Sequence, residues 1–444
     1  MNMSDGFPPG WRITTIRDNP SAPLPDLRGA AAKALLSPLN SLPLRQMASR
    51  SMRVCIVFTD ATRTCPDQIL VPSLLRELAA AGVRDDHITL LCATGVHRPS
   101  TFEEKIAKLG AEVALRYEVI DHQAKNPKEL ANLGSMGRPH LDLPIDVPVF
   151  ANRLAAEADL LVATGVVEPH LCAGYSGGGK TVTVGCGGEA TITALHSPAF
   201  LQDPHVQLGR VESNSFQAAV REGAQRAGLK FVSNVVLDGD HRPVAVQTGE
   251  PVSVHDQLVE IARRLCQVAV PQQYDVVVAG IGGPKDVNLY QASRASTYVG
   301  LASTPVVREG RVIITPARCW EGAGQGAAEQ RFFETLSEAN DLRALLNDLR
   351  ERGAEAGEQH SFRVAQVLIK NTIIIVGSEC PDAVRACKMI PAATMEQAAV
   401  IARGIVGDTA SALIVPHALQ TLPMVRGEWS VTTDQKNVPG KTVA

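Results

Sequence analysis

The densest run of reactive residue types in this sequence lies between residues 168 and 180. It reads Glu-Pro-His-Leu-Cys-Ala-Gly-Tyr-Ser-Gly-Gly-Gly-Lys and ends on Gly177, Gly178, Gly179 and Lys180. Consecutive glycines let backbone amides approach an anion closely, and the lysine adds a positive charge and a nucleophilic amine. The segment therefore predicts an anion-binding site beside a lysine that is able to act as a nucleophile.

The same segment also fits the pattern of a phosphate-binding P-loop. Gly174 is followed at the required spacing by Gly179, Lys180 and Thr181, so a P-loop nucleotide hydrolase or kinase is an open alternative. A P-loop leaves a buried strand directly, whereas residues 168–170 and several more intervene here. No apolar strand ending in a magnesium-binding aspartate stands out downstream. A glycine turn with a solvated lysine is the third interpretation.

Three histidines stand where imidazole chemistry would be useful. His97 follows a strand-like run at residues 87–92, and His170 follows one at residues 159–163. Histidine exchanges protons near neutral pH and serves as an acid or a base. His196 comes after a second glycine-rich turn, and imidazole is a good ligand for nickel, zinc or copper. One histidine would suffice for a metal only if a cofactor supplied the other donors, so a structural role is the alternative for His196.

Two further clusters carry groups that bind anions. The first comprises Asp60, Ala61, Thr62 and Arg63. It directly follows a strand-like run and precedes a helix, and a helix N-terminus beside an arginine attracts phosphate or carboxylate. In the second cluster, Gln291 and Arg294 lie three residues apart on a predicted helix and would together fix a carboxylate and a neighbouring oxygen. The alternatives are an aspartate cap with a local ion pair and a solvent-facing polar stripe, respectively.

Short apolar runs alternating with helical patterns must position these clusters. The strand-like runs cover residues 53–58, 87–92, 159–163, 231–237, 275–279, 311–315, 372–376 and 412–415. Such alternation predicts an α/β protein with mostly parallel, doubly wound sheets, in which ligands bind at the carboxyl ends of the strands. We expect two domains with the active-site cleft between them. The predicted division assigns cofactor binding and catalysis to residues 1–270 and substrate contacts to residues 271–444, with the last segment a candidate for packing back on the first domain.

Composition argues against several classes of function. The 444 residues carry a formal net charge of −3 without a long basic run, which gives no electrostatic support for nucleic-acid or membrane-surface binding. The polar, Pro-rich N-terminus lacks the apolar middle of a signal peptide, so we expect a cytoplasmic protein. The nine cysteines include no Cys-x-x-Cys pair, which favours reduced, mostly buried thiols over disulfides or a thiolate zinc site.

In their order along the chain, these motifs resemble the nickel-pincer lactate racemase family. The matching motifs are DATR at residues 60–63, HRP at 97–99, EPH through GGGK at 168–180, His196, and PKDxNLYQ at 284–291. The stretch from EPH to GGGK with a histidine after it is the specific part, and the shorter motifs are weak alone. The resemblance covers most of the chain and implies a racemase or epimerase that inverts the C2 stereocentre of a small-molecule 2-hydroxy acid.

The resemblance also implies a cofactor and a role for each motif. The cofactor is a nickel-bearing pyridinium mononucleotide with two sulfur-bearing carboxyl substituents, made by cofactor-biosynthesis proteins and joined to Lys180 as a thioamide. His196 is the nickel ligand. His97 and His170 flank the substrate as acid and base while the hydride passes to the cofactor and a 2-keto acid forms. The implied cofactor-binding residues are Lys180, Asp60, Ala61, Thr62, Arg63, Gly177, Gly178 and Gly179. The implied substrate-binding residues are Gln291, Arg294 and Arg63.

One departure from the family pattern concerns the substrate. Many members carry lysine where this chain has Arg294, and a guanidinium presents a planar fork where an ammonium is a point charge. Lactate is therefore one candidate among several, beside a larger substrate or one with a second carboxylate, such as malate or a sugar acid. A non-catalytic carrier of the nickel nucleotide is a third hypothesis, and the presence of both His97 and His170 argues against it.

Overall fold

The computed structural model describes residues 3–283, 285–302 and 304–425, and eighteen β-strands lie in these ranges. The strands are β1 (Arg12–Thr15), β2 (Val54–Thr59), β3 (Ile88–Ala93), β4 (Glu118–Asp121), β5 (Leu130–Met136), β6 (Val147–Asn152), β7 (Leu160–Val166), β8 (Pro169–His170), β9 (Gly174–Tyr175), β10 (Leu229–Leu237), β11 (Pro243–Gly249), β12 (Gln267–Val270), β13 (Tyr274–Ala279), β14 (Val307–Pro316), β15 (Thr372–Val376), β16 (Ile390–Ala392), β17 (Ser411–Val415) and β18 (Leu422–Val425).

Seventeen α-helices lie in the same described ranges. They are α1 (Leu27–Leu36), α2 (Leu44–Met47), α3 (Asp67–Ala80), α4 (Phe102–Leu109), α5 (Ala111–Arg116), α6 (Arg153–Ala156), α7 (Lys180–Thr183), α8 (Glu189–Leu195), α9 (Pro198–Leu201), α10 (Ser215–Arg226), α11 (Pro251–Cys266), α12 (Leu289–Gly300), α13 (Ala327–Glu338), α14 (Leu342–Arg352), α15 (Glu358–Lys370), α16 (Pro381–Ala386) and α17 (Met395–Val406).

The first six-stranded sheet has the order β11-β10-β7-β2-β3-β4. All its neighbouring strands are parallel except β10 and β11. Every residue of β2 and of β7 is buried, as expected for apolar strands covered on both faces. Helix α3 packs beside β2 because Leu70, Leu74 and Leu78 recur on one helical face and are fully buried. This packing fixes the segment between β2 and α3 at the carboxyl end of the sheet.

The second six-stranded sheet is parallel throughout, with the order β1-β17-β13-β14-β15-β16. In both sheets the strand order reverses beside a central strand. The reversal lies between β2 and β7 in the first sheet and between β13 and β17 in the second. Such switch points open a crevice at the carboxyl ends of the strands, where ligands of doubly wound sheets bind.

The fold class expected from the sequence is confirmed: the protein is α/β, with mostly parallel sheets and two domains. The division at residue 270 stays a prediction. The sheets depart from that division at the start of the chain. Strand β1 pairs with β17, so residues 12–15 of the predicted first domain belong to the second sheet. Strand β18 pairs with β12, and Leu422 packs in the core around the first sheet. Residues 426–444 of the predicted second domain lie outside the described residues.

The described residues also bear on the exclusions drawn from composition. None of their helices is both long and apolar enough to cross a membrane. All nine cysteines are free thiols, and every one except Cys380 is buried. The expectation of mostly buried thiols therefore agrees with the structure.

Candidate active site

One cavity brings most of the predicted site residues together. Its walls include Asp60, Arg63, His97, His170, Gly177, Lys180, His196, Gln291 and Arg294. The predicted residues that do not line it are Ala61, Thr62, Gly178 and Gly179. The first sheet and the segments after its strands supply the residues up to 196, and helix α12 supplies the last two. The site is thus a cleft built from both halves of the chain.

His97 and Asp60 form an acid–base pair at the ends of adjacent strands. Asp60 follows β2, His97 follows β3, and Nδ1 of His97 lies 2.6 Å from Oδ2 of Asp60. The other carboxylate oxygen accepts hydrogen bonds from the amide and hydroxyl of Thr62, at 2.9 and 2.6 Å. Burial alone would raise the pKa of Asp60, but His97 and Arg63 bring that pKa below its usual range. The ionised carboxylate therefore accepts the Nδ1–H of His97 and leaves Nε2 as the ring nitrogen available to a substrate.

His170 is held in the opposite tautomer. Its Nδ1 accepts hydrogen bonds from the backbone amides of Cys172 and Ala173, at 3.2 and 3.1 Å. Burial first, and then the charges of Lys180 and Arg294, lower the pKa of His170 well below its ordinary value. The neutral ring therefore carries its proton on Nε2, so His170 offers a hydrogen-bond donor to the cavity.

Lys180 begins the short helix α7 and has no ion pair among the described residues. Burial first, and then the nearby positive charge of Arg63, lower the pKa of its amine to about 7. A large share of the amine is therefore unprotonated near neutral pH, and a neutral amine is a nucleophile. The environment suits the nucleophilic lysine that the sequence predicts at this position.

His196 ends helix α8 with one ring nitrogen already committed. Its Nδ1 donates to the carbonyl oxygen of Ile192 at 2.8 Å, and its ring packs edge-on against Phe216 with centroids 5.0 Å apart. Burial lowers the pKa of His196 to about 4, so the ring is neutral. A neutral imidazole with Nδ1–H on a backbone carbonyl offers the Nε2 lone pair, which is the usual arrangement of a metal-binding histidine. Among the described residues, no group of three or more His, Cys, Asp or Glu side chains could hold a metal ion.

The three glycines before Lys180 are required by packing against the protein itself. A Cβ atom added to Gly178 would lie 3.0 Å from Cβ of His255, and one added to Gly179 would lie 2.6 Å from Cβ of Ala224. Gly177 also has a positive φ of 84°, which favours glycine. Close approach of an anion to the backbone was the expected reason for this run, and the contacts with neighbouring segments explain it without one.

The groups that a P-loop would offer to phosphate and magnesium are already engaged. The amide of Gly178 donates to Oδ1 of Asn234 at 2.7 Å, and the hydroxyl of Thr181 donates to the carbonyl of Thr164 at 3.0 Å. The glycines follow the two-residue strand β9 instead of a central strand of the sheet. These contacts argue against the nucleotide hydrolase or kinase alternative.

Helix α12 presents Gln291 and Arg294 to the cavity. The guanidinium of Arg294 donates to Oε1 of Gln291 at 3.1 Å and to the hydroxyl of Tyr298 at 3.4 Å. Tyr298 in turn donates to the carbonyl of Pro169 at 3.1 Å, which ties α12 to the segment that carries His170. Gln291 is buried, so the alternative of a solvent-facing polar stripe does not hold.

Comparison with known proteins agrees with this geometry. Residues 2–209 match the family model described as the lactate racemase N-terminal domain, and residues 270–422 match the lactate racemase C-terminal domain. The lactate racemase of Lactiplantibacillus plantarum is 31% identical over 392 residues, which cover 87% of this chain and 88% of that protein. The chain belongs to the lactate racemase family. It is accordingly an isomerase of the racemase type that acts on a small molecule.

Further relatives of this racemase extend the match to solved structures. The lactate racemase of Thermoanaerobacterium thermosaccharolyticum is 29% identical over 395 residues, which are 88% of this chain and 89% of that protein. The structure of its apoprotein superposes with a TM-score of 0.81 at 26% identity, covering 95% of this chain and 96% of that one. A Thermotoga maritima protein gives a TM-score of 0.71 at 19% identity, covering 92% and 100%, and supports the fold alone.

No motif in the sequence indicates the residue that anchors the Asp60 turn of this racemase. Lys108, on helix α4, places its amine 2.7 Å from Oδ2 of Asp67, 2.9 Å from the hydroxyl of Thr59 and 3.1 Å from the carbonyl of Arg63. The ammonium therefore ties both ends of the turn to α4. Since α3 begins with Asp67, its own acidic first turn also weakens the attraction of that helix terminus for an external anion.

Two further ionic features of the site were missed. Lys285 of the PKD motif lies 3.6 Å from Glu168, and burial brings the pKa of Lys285 down to about 8 even though Glu168 opposes it. This pair joins the switch-point loops of the two sheets. The cavity is also lined by His360 and Arg363 of helix α15, which belong to no motif recognised in the sequence.

Proposed function

We propose that this racemase inverts the C2 stereocentre of a 2-hydroxy acid by moving a hydride off C2 and back, through a 2-keto acid. The observation that carries the proposal is the convergence of four residues from separate segments on one cavity: His97 after β3, His170 in β8, Lys180 at the start of α7 and His196 after α8. This chemistry requires four functional groups. They are two acid–base groups, one for each enantiomer, a nucleophilic amine and a metal-binding imidazole.

The residues present fit a lysine-linked nickel pincer nucleotide. Lys180 has the depressed pKa that thioamide formation at its amine needs, and His196 has a free Nε2 beside a fixed Nδ1–H. Because His196 is a single imidazole, the soft sulfur donors of the cofactor would complete the coordination. When bound, this group supplies an acceptor for a hydride. Lys180 would hold it covalently, His196 would bind its nickel, and Arg63 lies where it could neutralise its phosphate.

The protein's own part in the reaction is proton transfer. A hydroxyl group loses its proton readily only when the hydride on the same carbon leaves with it, and a neutral imidazole is a suitable base. His97 accepts the hydroxyl proton of one enantiomer at Nε2, and Asp60 stabilises the imidazolium that results. His170 serves the other enantiomer, and it must exchange its Nε2–H tautomer to accept a proton.

Substrate orientation falls to the second half of the chain. Gln291 and Arg294 are braced against each other and against Tyr298, so a carboxylate bound by Arg294 would be held in a fixed direction. We accordingly propose that residues 1–270 hold the cofactor and residues 271–444 contribute the substrate contacts. Closure of the cleft over the substrate would keep water away from the hydride step.

The test uses protein produced in a host that makes the cofactor. Single enantiomers of several 2-hydroxy acids are incubated with it and the products are separated on a chiral column. We expect inversion of at least one acid, a mass adduct on the peptide that contains Lys180, and nickel in a one-to-one ratio with the chain. The variant Lys180→Met should lose the adduct, whereas Lys370→Met, at the exposed end of α15, should keep it. A fully loaded protein that inverts none of the acids, or ATP binding without an adduct, overturns the proposal.

A further inference from the structure

Arg363 is a buried cation without a carboxylate partner among the described residues. It lies on helix α15, is 9% exposed and lines the cavity. Its Nε and Nη2 atoms are buried and have no hydrogen-bond partner, and no carboxylate pairs with it among the described residues. Burial lowers the pKa of Arg363, and the neighbouring thiol of Cys172 opposes that shift. A thiol is a weak acceptor and is not a counter-charge, so none of the described residues balances the guanidinium.

Burying a charge without a counter-charge is unfavourable in free energy, unless a bound ligand supplies the counter-charge. Guanidinium groups pair with carboxylates through two parallel hydrogen bonds, and Nε with Nη2 is one of the two edges that make such a pair. Those are the two atoms of Arg363 that lack partners. The arrangement is that of a carboxylate site whose anion is not supplied by the described residues.

The cavity has one more unpaired arginine than the anionic groups of the proposed function require, and Arg363 is that arginine. Three arginines line it, namely Arg63, Arg294 and Arg363, and none has an ion pair in the described part of the chain. The acidic residues that line it are already engaged, Asp60 with His97 and Glu168 with Lys285. The proposed function brings two anionic groups, the cofactor phosphate and the C1 carboxylate of the substrate. One guanidinium remains.

The position of Arg363 connects it to the substrate wall of the cavity. Helices α12 and α15 are joined by a 2.8 Å contact between Oγ of Ser293 and Nε2 of His360. Arg294 is the residue after Ser293, and Arg363 lies one helical turn after His360, so neighbouring helices supply both guanidiniums. Arg294 is braced by Gln291, whereas Arg363 is free to pair.

We propose that Arg363 binds a second carboxylate of the substrate, so that the substrate class is 2-hydroxy acids whose chain carries a further carboxylate. The inference rests on the proposed function and narrows it. Arg294 receives the C1 carboxylate, and Arg363 receives the distal one. This assignment also gives a reason for the arginine at 294, because two rigid forks would orient a dicarboxylate along one line.

The experiment compares substrates on the loaded enzyme. Inversion of L-malate, L-2-hydroxyglutarate, L-lactate and L-2-hydroxybutyrate is followed by chiral chromatography for wild type, Arg363→Gln, Arg363→Lys and the control Lys370→Gln, which removes an exposed charge from the same helix. We expect wild type to favour a dicarboxylate. Arg363→Gln should raise KM for that dicarboxylate about tenfold or more and leave the monocarboxylates within about twofold. Arg363→Lys should fall between, and Lys370→Gln should match wild type.

A binding measurement separates failure of this inference from failure of the proposed function. Calorimetric titration of the loaded protein with succinate and with butyrate, neither of which can react, should show tighter binding of succinate that Arg363→Gln removes. If that holds while no 2-hydroxy acid is inverted, the carboxylate site stands and the racemisation chemistry is wrong. Equal weakening of mono- and dicarboxylates, or loss of the Lys180 adduct in Arg363→Gln, overturns the inference, since Arg363 then serves the C1 carboxylate or the cofactor. The thermal midpoint of each variant is recorded as the folding control.

Discussion

Nδ1 of His97 lies 2.6 Å from Oδ2 of Asp60, and this contact joins the ends of two neighbouring parallel strands. The contact fixes which ring nitrogen of His97 faces the carboxylate and leaves the other for the substrate. His170 is fixed the other way by two backbone amides. The two imidazoles are thus fixed in opposite orientations, with Nδ1 of His97 facing a carboxylate and Nδ1 of His170 accepting from backbone amides.

The first prediction concerns Asp60. Replacing it by asparagine keeps the size of the side chain but removes the charge that stabilises a protonated His97. We expect Asp60→Asn to lower the rate of inversion by about 10²- to 10⁴-fold, because the carboxylate both orients an acid–base histidine and stabilises its imidazolium. Asp142→Asn, at an exposed position, is the matched control. An unchanged rate in Asp60→Asn would show that His97 acts without its carboxylate partner.

The second prediction separates the two histidines by enantiomer. In a single turnover stopped with acid, the loaded His170→Ala protein should form 2-keto acid from one enantiomer only, and His97→Ala should form it from the other only. Both should lose about 10²- to 10⁴-fold in inversion, since each removes one acid–base group. Keto acid from both enantiomers in either variant contradicts the assignment of one base to each.

The third prediction concerns the pH dependence of Lys180. Its pKa is lowered to about 7, so the amine is neutral above that pH and becomes protonated and unreactive as the pH falls through it. In the apoprotein, competitive acetylation followed by peptide mass spectrometry should give half-maximal labelling of Lys180 near pH 7. A free lysine side-chain amine, added as N-acetyl-lysine amide, should require about pH 10.4, the ordinary value of this group. Coincident curves for Lys180 and the free amine would refute the lowered pKa.

The fourth prediction concerns stability. Lys108→Met leaves the fully buried Asp67 without its ammonium partner, and breaking a buried pair from one side costs about 3–5 kcal/mol. Urea unfolding should report a loss of that order, with a fall in activity because the carbonyl of Arg63 also loses its anchor. Removing Lys125 from its exposed pair with Glu189 should cost about 0–1 kcal/mol. Equal losses in the free energy of unfolding for the two variants would mean that the buried ion pair of Lys108 does not stabilise the fold more than an exposed pair does.

The sequence predicts the part of this site that depends on strand ends. Because parallel strands bring their carboxyl ends to one edge, Asp60, His97 and His170 were expected near each other, and they line one cavity. The tautomers were not predictable, since they depend on hydrogen-bond partners such as the amide of Ala173. Lys108 could not be found because its partners lie more than forty positions earlier along the chain.

Helix contacts explain the remaining omissions. Arg363 and His360 sit in a helix whose pattern is that of any amphipathic segment, and only the packing of α15 against α12 brings them to the cavity. The glycine run was interpreted through an anion, whereas His255 and Ala224, distant in sequence, are what exclude side chains there. Pairing of β1 with β17 carries the start of the chain to the second sheet, and a short exposed strand gives no local signal for that partner.

The central claim is that C2 loses and regains a hydride inside a closed site. The most direct test follows the fate of a deuterium placed at C2 of whichever 2-hydroxy acid the loaded enzyme inverts, with the reaction run in ordinary water. We predict that the inverted product keeps its deuterium, because the hydrogen travels as hydride and never joins the solvent pool. Inverted product that carries protium at C2 would contradict the account and indicate abstraction of that hydrogen as a proton.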